Sequence, residues 1–190
     1  MKIASDGRIV AQHRTVPAEV PIAVSFLGIG YAVMMATPKD LEDFAYGFAR
    51  SERLIDTAAD ITGIEIREEE KGVLLGIELA PARHDRVLAR VRHRVGESSC
   101  GLCGIENLEQ ALRPLPRVAA PPRVKKEALF RALEELREHQ PLNRETGAVH
   151  AAALCDAEGA ILAAREDVGR HNAFDKLIGW GKPAYVEKER

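Results

Sequence analysis

An α+β fold in two units is what this sequence predicts, on three observations. Short β-type runs come in pairs around glycine-containing turns, stripes of apolar residues at helical spacing follow them, and a proline-rich break divides the chain after residue 113. With 190 residues and 46% hydrophobic content, the chain can bury one good core or two small ones.

The runs at 19–27 and 31–36 flank Gly28-Ile29-Gly30 and read as a hairpin. A helix comes next. Thr37 suits its N-cap, Pro38 its first turn, and Asp40 the positive end of the dipole, while Leu41, Phe44, Ala45 and Phe48 share one face. Ile64 and Ile66, then Val73, Leu75 and Ile77, alternate on either side of Glu68-Glu69-Glu70-Lys71-Gly72, a second hairpin signal. From 82 to 95 the pattern is again helical. Leu88, Val91 and Val95 form its apolar side, and Arg83, Arg86, Arg90, Arg92 and Arg94 outnumber the lone Asp85.

Between 113 and 122 four prolines fall in ten residues without periodicity, which marks a semi-rigid linker at 114–122 between units 1–113 and 123–190. The second unit opens with a helix stripe of Leu129, Leu133 and Leu136, supported by Glu127 four residues before Arg131. Small-residue β-runs at 149–155 and 160–164 surround Asp156-Ala157-Glu158-Gly159. A last helix is predicted over 171–178, with Phe174, Leu177 and Ile178 inward and Gly179 as its C-cap.

Composition narrows the function. Twenty-seven basic side chains against 29 acidic ones leave a formal charge of −2, which argues against general nucleic-acid binding. The N-terminal run lacks an apolar signal core, and no stretch reaches the roughly 18 apolar residues of a membrane helix, so a cytoplasmic location is expected. In a reducing compartment, three cysteines read better as metal ligands or reactive thiols than as a structural disulfide.

Cys100-Gly101-Leu102-Cys103 is the most informative motif. Its glycines and the preceding Ser98 and Ser99 make an accessible loop, and Ile105, Leu108 and Leu112 repeat behind it at helical spacing. A helix N-terminus stabilises a thiolate, and the arginines upstream would add to that field, so the pattern favours sulfur chemistry. Structural zinc would need four ligands; Cys155, His150 and His171 could complete a set but lack paired spacing. A thioredoxin-like site would place the motif after a strand, whereas a basic helical pattern precedes it here. The zinc nucleobase deaminase signature is absent: His150 follows the cysteines and Ala152 stands where its glutamate would be.

A second dense patch is the run 165–172, Arg-Glu-Asp-Val-Gly-Arg-His-Asn, between an apolar strand and an apolar helix. Gly169 would let a ligand approach the backbone, and a helix start beside Arg170 and His171 suits an anion such as phosphate. The alternative is a capped, salt-bridged turn, with Asp167 as cap and Glu166 paired to an arginine. The turn at 144–147, Arg-Glu-Thr-Gly, could face the same pocket, while His150 between alanines reads as a core histidine.

Taken together, Ser-Ser-Cys-Gly-Leu-Cys-Gly at 98–104, Thr-Gly-Ala-Val-His at 146–150 and Arg-Glu-Asp-Val-Gly-Arg-His-Asn-Ala-Phe-Asp-Lys at 165–176 resemble the FdhD/NarQ family of formate dehydrogenase accessory sulfurtransferases. The stretch 36–48 resembles that family's N-terminal pattern as well. The resemblance implies an α+β N-terminal domain followed by a cytidine deaminase-like α/β/α domain, incomplete here because family members continue beyond the Asp-Lys-Leu-Ile-Gly segment. It implies that sulfur from a cysteine desulfurase is carried as a persulfide to the molybdenum bis(guanine dinucleotide) cofactor for formate dehydrogenase. By position, Cys100 would hold the persulfide and Cys103 would assist or relay. Gly169, Arg170, His171 and Asn172 would contribute to the cofactor's phosphate site. No tightly bound metal is expected. The expected partners are the desulfurase, formate dehydrogenase and a second copy of the chain, and the alternative role is a non-catalytic cofactor-binding chaperone.

Overall fold

A computed structural model describes residues 2–3, 9–10, 14–94 and 124–181. Cys100, Cys103, the helical stripe behind them, Val95 and the expected linker at 114–122 lie outside the described residues. Strands β1 (Lys2–Ile3) and β2 (Ile9–Val10) pair antiparallel with each other.

The main sheet contains β3 (Val20–Phe26), β4 (Ile29–Ala36), β5 (Ile61–Glu69) and β6 (Gly72–Leu79) in the order β4-β3-β6-β5. Both predicted hairpins form, and the parallel pairing of β3 with β6 joins them. The first turn falls one residue earlier than its glycines suggested. Leu27 (φ 54°) and Gly28 (φ 73°) are the two left-handed residues, the pattern that matches the twist of a two-residue hairpin.

Ile22, Val24 and Phe26 of β3 and Val73, Leu75, Ile77 and Leu79 of β6 alternate toward one buried face. Helix α1 (Leu41–Ser51) covers that face with Leu41, Phe44, Ala45, Phe48 and Ala49, all buried. The predicted face is therefore correct, but the predicted cap is not. Asp40, in a left-handed conformation, precedes the helix, and Thr37 is buried in a different role described below. Phe26 meets Tyr31 edge-on with ring centroids 5.0 Å apart and stacks with Phe48 at 6.5 Å, so aromatic surfaces fill the layer between sheet and helix. Helix α2 (His84–Arg94) adds Val87, fully buried, where the sequence pattern pointed to its half-buried neighbour Leu88.

In the second half, α3 (Lys126–Leu136) and the short α4 (Pro141–Thr146) precede an antiparallel ribbon of β7 (His150–Cys155) and β8 (Ile161–Asp167), and α5 (Arg170–Trp180) follows it. Side chains alternate across a strand, so consecutive Glu166 and Asp167 point to opposite faces. Glu166 bonds to α4 and Asp167 to α5, which puts helices on both sides of the ribbon. The α3 stripe does not turn inward: Leu129 and Leu133 are exposed, and Ala128 is the buried residue. In α5 the inward residues are Asn172, Ala173, Lys176 and Gly179. Phe174, predicted inward, is 57% exposed, and Gly179 lies inside the helix rather than at its cap.

The interior position of Gly179 has a clear cause. A Cβ there would overlap the Asp43 carbonyl, and a Cβ on Gly47 would overlap the Asp175 carbonyl, so α1 and α5 cross with their backbones in direct contact. Ser51 donates a hydrogen bond to Asp175 Oδ1 at 2.6 Å beside the crossing. The sequence units on either side of the expected linker thus pack directly on one another.

Helix propensity alone would favour alanine over glycine by about 1 kcal/mol. Gly179→Ala is nevertheless expected to destabilise the protein by about 1–3 kcal/mol in urea unfolding, because the added methyl must push the helices apart. A stability gain would show that the two backbones are not in contact.

Candidate functional site

The predicted site residues that can be located converge on one end of the β7–β8 ribbon. In the strand register His150 stands opposite Asp167, so the α4–β7 and β8–α5 connections leave the ribbon side by side. His150 is exposed there rather than buried in the core as expected. The expected turn at 144–147 is the last turn of α4, closed by Gly147 in a left-handed conformation (φ 62°) with Thr146 buried behind it.

Asp167 organises this end. It is fully buried, and its two carboxylate oxygens accept four hydrogen bonds, the number such a group can hold. Thr37 N–H (3.0 Å) and Lys176 Nζ (2.6 Å) donate to Oδ2. Gly169 N–H (2.8 Å) and Asn172 Nδ2 (3.1 Å) donate to Oδ1. Lys176, also fully buried, donates to the Thr37 carbonyl at 2.9 Å, and Val168 N–H donates to Thr37 Oγ1 at 3.2 Å. All three polar groups of Thr37 are therefore held by residues of the second half. Burial lowers the Lys176 pKa from its ordinary value, while the hydrogen bond and charge of Asp167 act against that shift.

The remaining charges of the run are structural in a way the sequence did not specify. Arg165 pairs with Asp43 of α1, Nε at 2.8 Å and Nη2 at 2.7 Å from Oδ2. Glu166 is not paired to an arginine; it accepts the N–H groups of Leu142 (2.9 Å) and Asn143 (2.7 Å), capping the start of α4. Asp167 bonds Gly169 but does not cap α5, whose N-cap is Gly169 with no side-chain cap bond.

That leaves the first turn of α5 uncapped, with Arg170 and His171 exposed on it and no hydrogen-bond partner for either side chain among the described residues. Unsatisfied N–H groups, the positive end of the dipole and a guanidinium together suit an anion. Asn172 is placed differently. It is buried, and its amide nitrogen donates to the Met35 carbonyl (2.9 Å) as well as to Asp167, so it holds the turn from behind. Sequence reasoning missed Lys176 and Thr37. The available signal was the inward spacing 172, 173, 176 and 179 in α5, a helical stripe carrying two polar residues that only internal partners could satisfy.

The FdhD/NarQ family model matches residues 17–187, a span that includes the cysteine motif, Thr37 and the whole 165–176 run. The chain belongs to the FdhD/NarQ family. It is 46% identical over 173 residues to a protein of Xanthomonas campestris pv. campestris named sulfur carrier protein FdhD, covering 91% of this chain and 62% of that protein. A protein of the same name from Variovorax paradoxus is 48% identical over 164 residues, covering 86% and 59%. The chain thus spans about three fifths of the length of these curated relatives. A crystal structure of a candidate formate dehydrogenase accessory protein from Desulfotalea psychrophila shares the fold, with a TM-score of 0.65 at 24% identity over 98% of this chain and 67% of that one. Among the described residues, no helix is long and apolar enough to cross a membrane.

Removing one member of a buried ion pair strands the other charge without solvent, an effect of about 3–5 kcal/mol. Lys176→Met is therefore expected to lose about that much stability in urea unfolding, a large share of the roughly 5–15 kcal/mol that holds a typical domain. A loss below about 1 kcal/mol would mean that water reaches Asp167.

Proposed function

We propose that this protein is a sulfur carrier that acts through Cys100 in the maturation of formate dehydrogenase. The observation that carries the reading is the extent of the match: it runs through both the Cys100–Cys103 motif and the 165–176 turn, at close to half identity with proteins named for sulfur carriage. The Cys100 thiolate would attack the terminal sulfur of a cysteine desulfurase persulfide. A new S–S bond forms at Cys100 as the old one breaks, and the desulfurase thiolate leaves. The Cys103 thiolate could then attack the Cys100 sulfur, closing a Cys100–Cys103 disulfide and releasing hydrosulfide to an acceptor. The lost S–S bond is replaced by the new one, so this step needs no outside reductant.

The acceptor in this reading is the molybdenum bis(guanine dinucleotide) cofactor, treated as substrate. Its phosphates would be met at the first turn of α5 by free N–H groups, Arg170 and His171, while Gly169, packed against the Asn172 side chain and bonded to Asp167, and Asn172 keep the turn in place. The second half, with helices on both faces of its ribbon, we read as the opening of a cytidine deaminase-like layer.

Incubation with a cysteine desulfurase and L-cysteine should add one sulfur atom to the intact mass of the wild type and of Cys103→Ala, but not of Cys100→Ala. A persulfide on the Cys100→Ala protein would remove Cys100 from the role, and no adduct on any form would favour a non-catalytic chaperone.

For the phosphate site, GDP serves as a stand-in for the nucleotide arm. Arg170→Ala should weaken its binding in calorimetry by about 1.5–3 kcal/mol, tenfold or more. Equal affinities would confine Arg170 to the surface of a structural turn.

A further inference from the structure

A second basic site lies at the C-terminal end of α1, on elements that do not contribute to the 168–171 turn. There the helix closes in a Schellman motif: Leu54 N–H donates to the Ala49 carbonyl at 2.9 Å and Arg53 N–H to the Arg50 carbonyl at 2.9 Å. The left-handed residue of that motif is usually glycine, but here it is Arg53, at φ 58°. This chain accepts a conformational penalty that glycine would avoid.

The surroundings show what the arginine adds. Arg50, Arg53, Ile55, Asp56 and Arg86 line a cavity of about 460 Å³, with Arg83 and Arg90 beside it. The carboxylates of this region are already engaged. Asp56 accepts two bonds from Arg86, at 2.9 and 2.8 Å, and pairs with Arg83 at 2.8 Å. Asp60 faces Arg83 at 3.0 Å and accepts the N–H groups of Asp56 and Thr57. Glu52 accepts the Tyr31 hydroxyl at 2.6 Å. Of the five guanidinium groups here, Arg50, Arg83 and Arg86 pair with carboxylates, and those are Asp56 and Asp60. Arg50 and Arg90 reach backbone carbonyls of the 52–56 loop, so the loop is pinned from both helices. The exposed guanidinium of Arg53 has no hydrogen-bond or ion-pair partner among the described residues.

We propose that this cavity binds a phosphate-bearing small molecule, with Arg53 as the uncommitted donor and Arg50 and Arg86 completing a cationic wall. Three guanidinium groups approach from the end of α1, the following loop and α2, and planar bidentate donors converging from several directions fit the oxygens of a phosphoryl group better than a flat carboxylate. The volume falls in the range of small-ligand pockets. The surplus positive charge favours a dianion, and the carboxylates already paired within the wall hold its arginines in place.

Inorganic pyrophosphate is the probe, titrated calorimetrically into the full chain, with sodium chloride at matched ionic strength as the reference. Wild type should bind it saturably. Arg53→Gly should weaken binding at least tenfold while its thermal midpoint stays equal or rises, because glycine suits the left-handed backbone. Opposite effects on binding and stability are what a merely structural arginine would not give. The weakening caused by Arg53→Gly should be the same in an Arg170→Ala background, which separates this site from the 168–171 turn. Equal affinity in Arg53→Gly, an Arg53→Gly effect that disappears in the Arg170→Ala background, or heats that vanish against matched salt would each overturn the proposal.

Discussion

The buried pair of Asp167 and Lys176 is the interaction on which the arrangement of this protein depends. Two charges that exclude water entirely carry a heavy desolvation penalty, and their mutual attraction offsets it only when every remaining lone pair and proton is satisfied. Here they are. The carboxylate holds four donors, drawn from the β4–α1 connection, the 168–171 turn and α5, and the ammonium reaches the Thr37 carbonyl as well as Asp167. One side-chain pair thereby joins three segments that are up to 139 residues apart in the chain.

What this pair secures is orientation more than adhesion. The apolar core belongs almost wholly to the main sheet, α1 and α2. The ribbon and α5 meet that body through the glycine crossing of α1 with α5, the Arg165–Asp43 pair and the Thr37 network. A contact between two helix backbones allows little sliding, since each carbonyl occupies the space a methyl group would fill. Because Gly169 N–H and Asn172 are bound to Asp167 from behind, the first turn of α5 is presented outward in one conformation. An anion arriving there would meet a preformed site, and little ordering entropy would have to be lost on binding.

Much of this fold was legible in the sequence because its signals are local. Period-two alternation in β3 and β6, the apolar face of α1 and the glycine-bearing turns each depend on neighbours a few residues away, and they predict both hairpins and the buried face of α1. The errors share a cause. Phe174 belongs to the apolar pattern that predicts the inner face, yet α5 turns Asn172, Ala173, Lys176 and Gly179 inward and crosses α1 backbone to backbone at Gly179, which leaves Phe174 outside. Thr37 looked like a helix cap by local rules, but a partner 130 residues away uses its N–H. Likewise Glu166 faces α4 and not an arginine, a pairing decided by the pleat of β8 and invisible to spacing arguments. Of the candidate site, residue types and the shared turn were readable; the division between Arg170 and His171 outside and Asn172 inside was not.

A buried ion pair can often be exchanged for apolar side chains of similar volume with no loss, and sometimes with a gain. That exchange should fail here for a reason found in the partners rather than in the pair. A leucine or methionine couple could fill the space of Asp167 and Lys176. It would, however, leave the Thr37 N–H and the Gly169 N–H without their bonds and take one of two bonds from the Asn172 amide and from the Thr37 carbonyl, and each buried orphan carries a penalty of about 1–3 kcal/mol. The two charges are therefore held by the backbone geometry they satisfy, and the same backbone forms the outward turn. In this region the chemistry that stabilises the fold and the chemistry that shapes the candidate site share the same atoms.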